Sequence, residues 1–88
     1  RIAREAEAGR RADVAARPAD PDALTALALV LVRCRVPFAE FAEQGELSGE
    51  AIELLQRALE ASPAHWSARF TLASTYAHRQ AFLGRARD

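Results

Sequence analysis

The chain reads as an all-α protein of antiparallel helical hairpins, and three features of its sequence carry that expectation. Apolar residues recur at helical spacing in successive stretches, prolines at 18, 21, 37 and 63 punctuate them, and alanine supplies much of the 50% hydrophobic content. Alanine is the strongest helix former and is depleted in strands. At 88 residues the chain suits one small domain, a size that buries only about 60% of the surface its unfolded form exposes. A four-helix bundle is the alternative arrangement of the same helices.

The first helix is expected over about 2–16, where alanines alternate with Arg and Glu. Its propensity is high and its apolar stripe weak, with Gly9 costing about 1 kcal/mol. Pro18 biases its predecessor away from helical dihedrals, so the helix ends near Arg17. Asp20 then caps and Pro21 opens a second helix, over about 21–33. Leu24, Leu27, Ala28 and Leu31 share a face, and Leu29, Val30 and Val32 widen it almost all round. This is expected to be the most buried helix.

Val36-Pro37 breaks the pattern, and 34–49 reads as an insertion. Phe38 and Phe41 fall on a short helical piece ended by Gly45, followed by a loop over 46–49 with Ser48 as cap. The third helix, about 50–61, is the most regular. Ala51, Leu55, Ala58 and Leu59 line one face at i, i+4, i+7 and i+8, with Glu53 and Arg57 placed to pair on another. Two alanines on a buried face let a second helix approach closely.

Ser62-Pro63 repeats the cap-and-proline punctuation and opens a fourth helix, about 64–79. Trp66, Phe70, Ala73 and Ala77 form one row of it, with Leu72 and Tyr76 on the adjoining row. Beyond Gln80 a turn and a further helix are expected. Trp66, Phe38 and Phe41 are expected as core anchors in a chain with only one Trp, one Tyr and four Phe.

An internal period underlies this order. Leu24, Leu27, Ala28 and Leu31 and, 45 residues on, Arg69, Leu72, Ala73 and Tyr76 share the spacing i, i+3, i+4, i+7, each set six residues after a proline. Ala51, Leu55, Ala58 and Pro63 add an Ala-x-x-x-large-x-x-Ala helix with a Pro five residues beyond it. On these residues the chain resembles the tetratricopeptide repeat family over Pro18 to Tyr76, with Arg69 standing where the family has a large apolar residue. The resemblance implies hairpins stacked as a short right-handed superhelix, acting as a protein–protein interaction scaffold. Its concave surface would bind a peptide or helix of a partner protein through Thr25, Leu29, Val32, Arg33, Phe70, Ser74, Ala77 and His78. Ordinary packing and surface roles are the plainer reading of those residues. The basic and amide side chains with which some members clamp a C-terminal carboxylate are missing at the matching positions. A homo-oligomerising helical domain of a larger regulatory protein is the alternative function. Such stacks need about three repeats, so the open ends would be covered by further chain, a partner or a second copy.

The remaining composition argues against other classes. Twelve Arg balance twelve Asp and Glu with no Lys, which fits codon bias and disfavours non-specific nucleic-acid binding. One cysteine, Cys34, allows no internal disulfide and is expected as a small buried hydrophobe in a reduced, cytoplasmic setting. The apolar run from Ala26 to Val32 is far shorter than the roughly 20 residues of a membrane span. His65 and His78 read as surface histidines, and Asp20 and Asp22 as capping residues. No metal-ligand spacing, phosphate loop or nucleophile elbow is present, so neither cofactor nor metal nor enzymatic activity is expected.

Overall fold

The computed structural model describes the backbone of residues 2–87 and the side chains of 4–81. Among them there is no strand. Four α-helices follow one another: α1 (Ile2–Ala16), α2 (Pro21–Val30), α3 (Phe41–Ala61) and α4 (Trp66–Arg87). A π turn, Leu31–Arg35, and a 3-10 turn, Val36–Phe38, join α2 to α3. Each helix packs on the next, and α2 and α4 also touch. The Cα positions span 41 × 31 × 14 Å. Two helices side by side occupy about 14 Å, so the molecule is two helices thick and far wider than a closed square bundle.

The start of α2 follows the sequence closely. Asp20 accepts a hydrogen bond from the Asp22 N–H at 3.0 Å, and Pro21 fills the first turn. Leu24, Leu27, Ala28 and Leu31 then meet Ala51, Leu55 and Ala58 of α3, and these seven are at most 2% exposed. The three alanines bring the helix backbones together, and the leucines fill the space beside them. Leu59 and Leu72 pack at the edge of this cluster.

Three boundaries differ from the sequence-based expectation. First, 34–49 is no loop insertion: α3 begins at Phe41 and runs through both Gly45 and Gly49. Leu47 continues the face of Ala51 and Leu54 one turn upstream and is 7% exposed. Burying such a leucine contributes about 1.5–3 kcal/mol, enough to offset two helical glycines at about 1 kcal/mol each. Ser48 caps nothing; its hydroxyl donates to the Gly45 carbonyl at 3.2 Å. Second, α2 is regular only to Val30. Pro37 has no N–H and crowds the carbonyl four residues before it, and the chain widens into the π turn just upstream, with the Val36 N–H reaching the Leu31 carbonyl. Third, α4 starts at Trp66 and continues to Arg87 without the expected turn, since no proline interrupts Gln80 and Ala81.

His65, not Ser62, caps α4. Its Nδ1 accepts from the Ala68 N–H at 3.1 Å, which leaves Nε2 to donate to Asp22 Oδ1 at 2.7 Å. The ring is therefore a neutral bridge between the first turns of α2 and α4, and at 17% side-chain exposure it is no free surface histidine. Arg57 likewise reaches elsewhere than expected, donating to the Pro18 carbonyl at 2.9 Å rather than to Glu53.

Helix α1 packs on α2 and is also tied down by charge. Arg11 donates to both Glu50 oxygens, at 2.7 and 3.1 Å, and to Glu7 at 2.7 Å. Arg35 of the π turn also donates to Glu7 and lies 3.7 Å from Glu43. Burial alone would raise the Glu7 carboxyl; the hydrogen bonds and charges of Arg11 and Arg35 outweigh it and hold the group below its ordinary 4.5. Its stabilising contribution is thus complete above that value and is lost as pH falls through the depressed one.

The two glycines of α3 differ in surroundings. A Cβ at Gly45 meets nothing within 4 Å, whereas one at Gly49 lies 3.2 Å from Arg79 Nη1. Gly45→Ala is expected to raise stability by about 0.5–1 kcal/mol, and Gly49→Ala by less. Urea unfolding of both variants checks the order.

Candidate interaction surface

The core of this protein is aliphatic, and its large rings lie outside it. Trp66 is 74% exposed, Phe38 86%, Phe41 62%, Phe70 56% and Tyr76 41%; the side chain of Phe82 lies outside the described residues. The expectation that Trp66, Phe38 and Phe41 anchor the core is therefore corrected. The buried face of α4 is neither of the two expected rows but Ala68, Thr71 and Thr75, with Leu72 half-buried beside them and Tyr76 exposed. Thr75 can be buried because its hydroxyl donates to the Thr71 carbonyl at 2.7 Å, satisfying itself within the helix. That leaves the aromatic row outside, where Trp66 and Phe70 stack with ring centroids 5.4 Å apart and planes 8° from parallel. Ala73 and Ala77 continue this exposed row. Tyr76 accepts from Gln56 Nε2 at 2.9 Å. Phe38 closes the 3-10 turn and Phe41 opens α3, both exposed.

The eight residues expected on one concave surface divide among several places. Val32 and His78 come together: with Val36, Pro37 and Gln44 they line a groove of about 340 Å³ between the two turns that follow α2, the start of α3, and α4. Leu29 and Arg33 line a second groove, of about 260 Å³, whose other members are Arg10, Ala26, Val30 and Cys34. Phe70, Ser74 and Ala77 are exposed on α4. Thr25 is corrected outright, being 3% exposed and part of the core, with a hydroxyl that has no hydrogen-bond partner. Its place on the row Thr25, Leu29, Val32 turns it toward α4, one turn too deep to meet solvent.

The first groove has apolar walls and two polar groups. Gln44 spends its amide N–H on the Ala39 carbonyl at 3.0 Å, which leaves its oxygen as an acceptor beside the His78 imidazole. Sequence reasoning missed Val36, Pro37 and Gln44 because it placed them in a break and an insertion. A third depression, of about 320 Å³, is lined by Arg4, Glu7, Ala8, Arg11 and Arg35. Its Arg11 and Arg35 are already committed to Glu7, Glu50 and Glu43, so it holds no surplus charge for an anion. Cys34 is free and half-buried rather than buried. Among the described residues no cluster of three or more His, Cys, Asp or Glu is placed to hold a metal, and no helix is long and apolar enough to cross a membrane.

Comparison with known proteins finds no matching family model, no matching curated protein and no matching solved structure.

Removing the orphaned hydroxyl of Thr25 while keeping its shape relieves a desolvation penalty. Thr25→Val is expected to raise stability by about 1 kcal/mol, whereas Thr25→Ala, which leaves a void, is expected to lower it. Thermal unfolding followed by circular dichroism distinguishes the two.

Proposed function

We propose that this chain is a protein–protein interaction module without catalytic activity, a short array of helical hairpins of tetratricopeptide type. It would take a peptide or helix of a partner protein along the side where α2 and α4 lie next to each other. The observation that carries this reading is the groove lined by Val32, Val36, Pro37, Gln44 and His78. It accepts an apolar side chain of an extended segment, while Gln44 and His78 offer hydrogen bonds to that segment's backbone. The spacing of the proline-marked helix starts supports the array, although Arg69, Ala73 and Tyr76, the counterparts of buried Leu24, Ala28 and Leu31, are exposed. Asp22 and His65, 43 residues apart, stand side by side, close to the 45 residues that separate Pro18 from Pro63. Helix α4 is thus displaced from α2 by about one sequence period. The right-handed superhelix, the scaffold role and a cytoplasmic setting belong to the same reading, and balanced charge favours a protein partner over nucleic acid.

The alternative function, self-association, is favoured by one feature of α4. Its outer row runs from large to small, Trp66 and Phe70 and then Ala73 and Ala77. An antiparallel pair of α4 helices would set each aromatic ring over an alanine of the other copy.

Substitution separates the two readings. Val32→Glu with His78→Ala is expected to weaken capture of a partner by roughly tenfold, about 1.4 kcal/mol, and to leave helicity and molar mass unchanged. Phe70→Arg should then have little effect on capture. If light scattering instead finds a dimer that Phe70→Arg dissociates, and the groove variant binds as before, α4 is the interface and the groove assignment is wrong.

A further inference from the structure

Helix α1 is attached to the rest of the molecule in a way the other helices are not. Of its described side chains only Val14 packs against the core, and Ala6, Ala8, Ala12, Ala15 and Ala16 all face solvent. A lone 15-residue helix is marginal in water even when rich in alanine. Besides its packing along α2, α1 is held by the ionic chain Glu50–Arg11–Glu7–Arg35, which crosses from α3 through α1 to the π turn. Arg11 and Glu50 are 41% and 38% exposed, so solvent ions reach that link. Beside α1 lie the small and apolar side chains of Ala26 and Val30 on α2 and Cys34 on the π turn. Together with Arg10 of α1 these line one groove, so α1 forms one wall over the row.

We propose that α1 is a reversible strap: latched by Glu7, Arg11, Arg35 and Glu50, it forms a wall over the row Ala26, Val30 and Cys34, and its release opens that row while α2, α3 and α4 stay folded. The device stands apart from the groove at Val32 and His78, on the opposite flank of α2, and does not depend on what that groove binds. The charged groups around Glu7 are Arg4 and Arg11 on α1, Arg35 on the π turn, and Glu43 and Glu50 on α3. Salt therefore loosens the latch by screening attraction across three elements at once.

Hydrogen exchange of the whole chain, followed by mass spectrometry, tests this. Raising NaCl from about 50 mM to about 1 M shortens the screening length to about 3 Å. It is expected to speed exchange of the α1 amides by about tenfold or more, with α3 amides changing by less than about twofold. Glu7→Gln should speed α1 exchange already at low salt and shrink the salt dependence to what the remaining Arg11–Glu50 pair contributes. Alkylation of Cys34 should accelerate in step with α1 opening, since it reports the row itself. Should Glu7→Gln disturb the whole fold, the salt series on the unsubstituted protein decides. The proposal is overturned if α1 exchange ignores salt, if α1 is unprotected throughout, or if α1 and α3 lose protection together. It is also overturned if Cys34 reactivity stays constant while α1 opens.

Discussion

The close approach of α2 and α3 is the constraint on which the rest depends. Ala28 of α2 and Ala51 and Ala58 of α3 belong to one buried cluster, and all three are wholly enclosed. With no bulk between the backbones, only leucine-sized side chains fit around the contact, and Leu24, Leu27, Leu31 and Leu55 are the largest that are fully enclosed. A valine at any of those alanines would push the helices apart or take a strained rotamer, typically at about 1–3 kcal/mol. The same thinness explains the surface. A core this narrow has no room for rings, so the aromatics lie outside it and the exposed row of α4 follows from the tightness of the interior.

Two kinds of attachment then divide the molecule. Helices α2, α3 and α4 share one aliphatic cluster that includes Ala68. Burial of that kind is strengthened, if anything, by salt and depends little on pH. Helix α1 adds one half-buried Val14 to the cluster, packs along α2 and otherwise depends on Glu7 and its arginines. Docked ion pairs of this exposure contribute about 0.2–1 kcal/mol each, while Val14 contributes less than the 1.5–3 kcal/mol or so of a fully buried side chain. The hold on α1 is therefore shallow and conditional, and that on the other three helices is neither.

What was legible in the sequence was local, and what was not was decided by tertiary contacts. The bounds of α1, the Asp20 cap, and the buried face of Ala51, Leu55 and Ala58 all follow from propensity, capping chemistry and period. Gly45 looked like a stop because glycine is the common terminator, and 46–49 like a loop, yet Leu47 finds the core and Arg79 reaches the Gly45 carbonyl and the Ser48 hydroxyl, both at 3.3 Å. Helix α4 offered two rows, and hydrophobicity favours the aromatic one. The buried face went instead to Thr71 and Thr75 because a threonine can satisfy its hydroxyl on its own helix and pass for a small apolar residue. For the candidate site, the groove joins Val32 to His78, which the 45-residue period does not make equivalent: it matches Val32 to Ala77 and Arg33 to His78. It could not find Val36, Pro37 and Gln44, which reach the groove only because the π turn bends the chain back toward α3.

The register of α2 against α4 sets how open that groove is, and it rests at one end on His65. An imidazole bonded to Ala68 N–H through Nδ1 and to Asp22 through Nε2 fixes both helix starts at once. An asparagine or serine could cap α4 but would not span to Asp22, and a lysine could reach Asp22 but not cap. The two requirements together call for a rigid side chain with an acceptor on one edge and a donor on the other, which among the common residues is neutral histidine. His78, thirteen residues on, lines the groove near its opposite end. One histidine therefore sets the spacing of the walls that the other helps to form, and a loss at His65 would be felt at His78 through the tilt of α4 rather than through any direct contact.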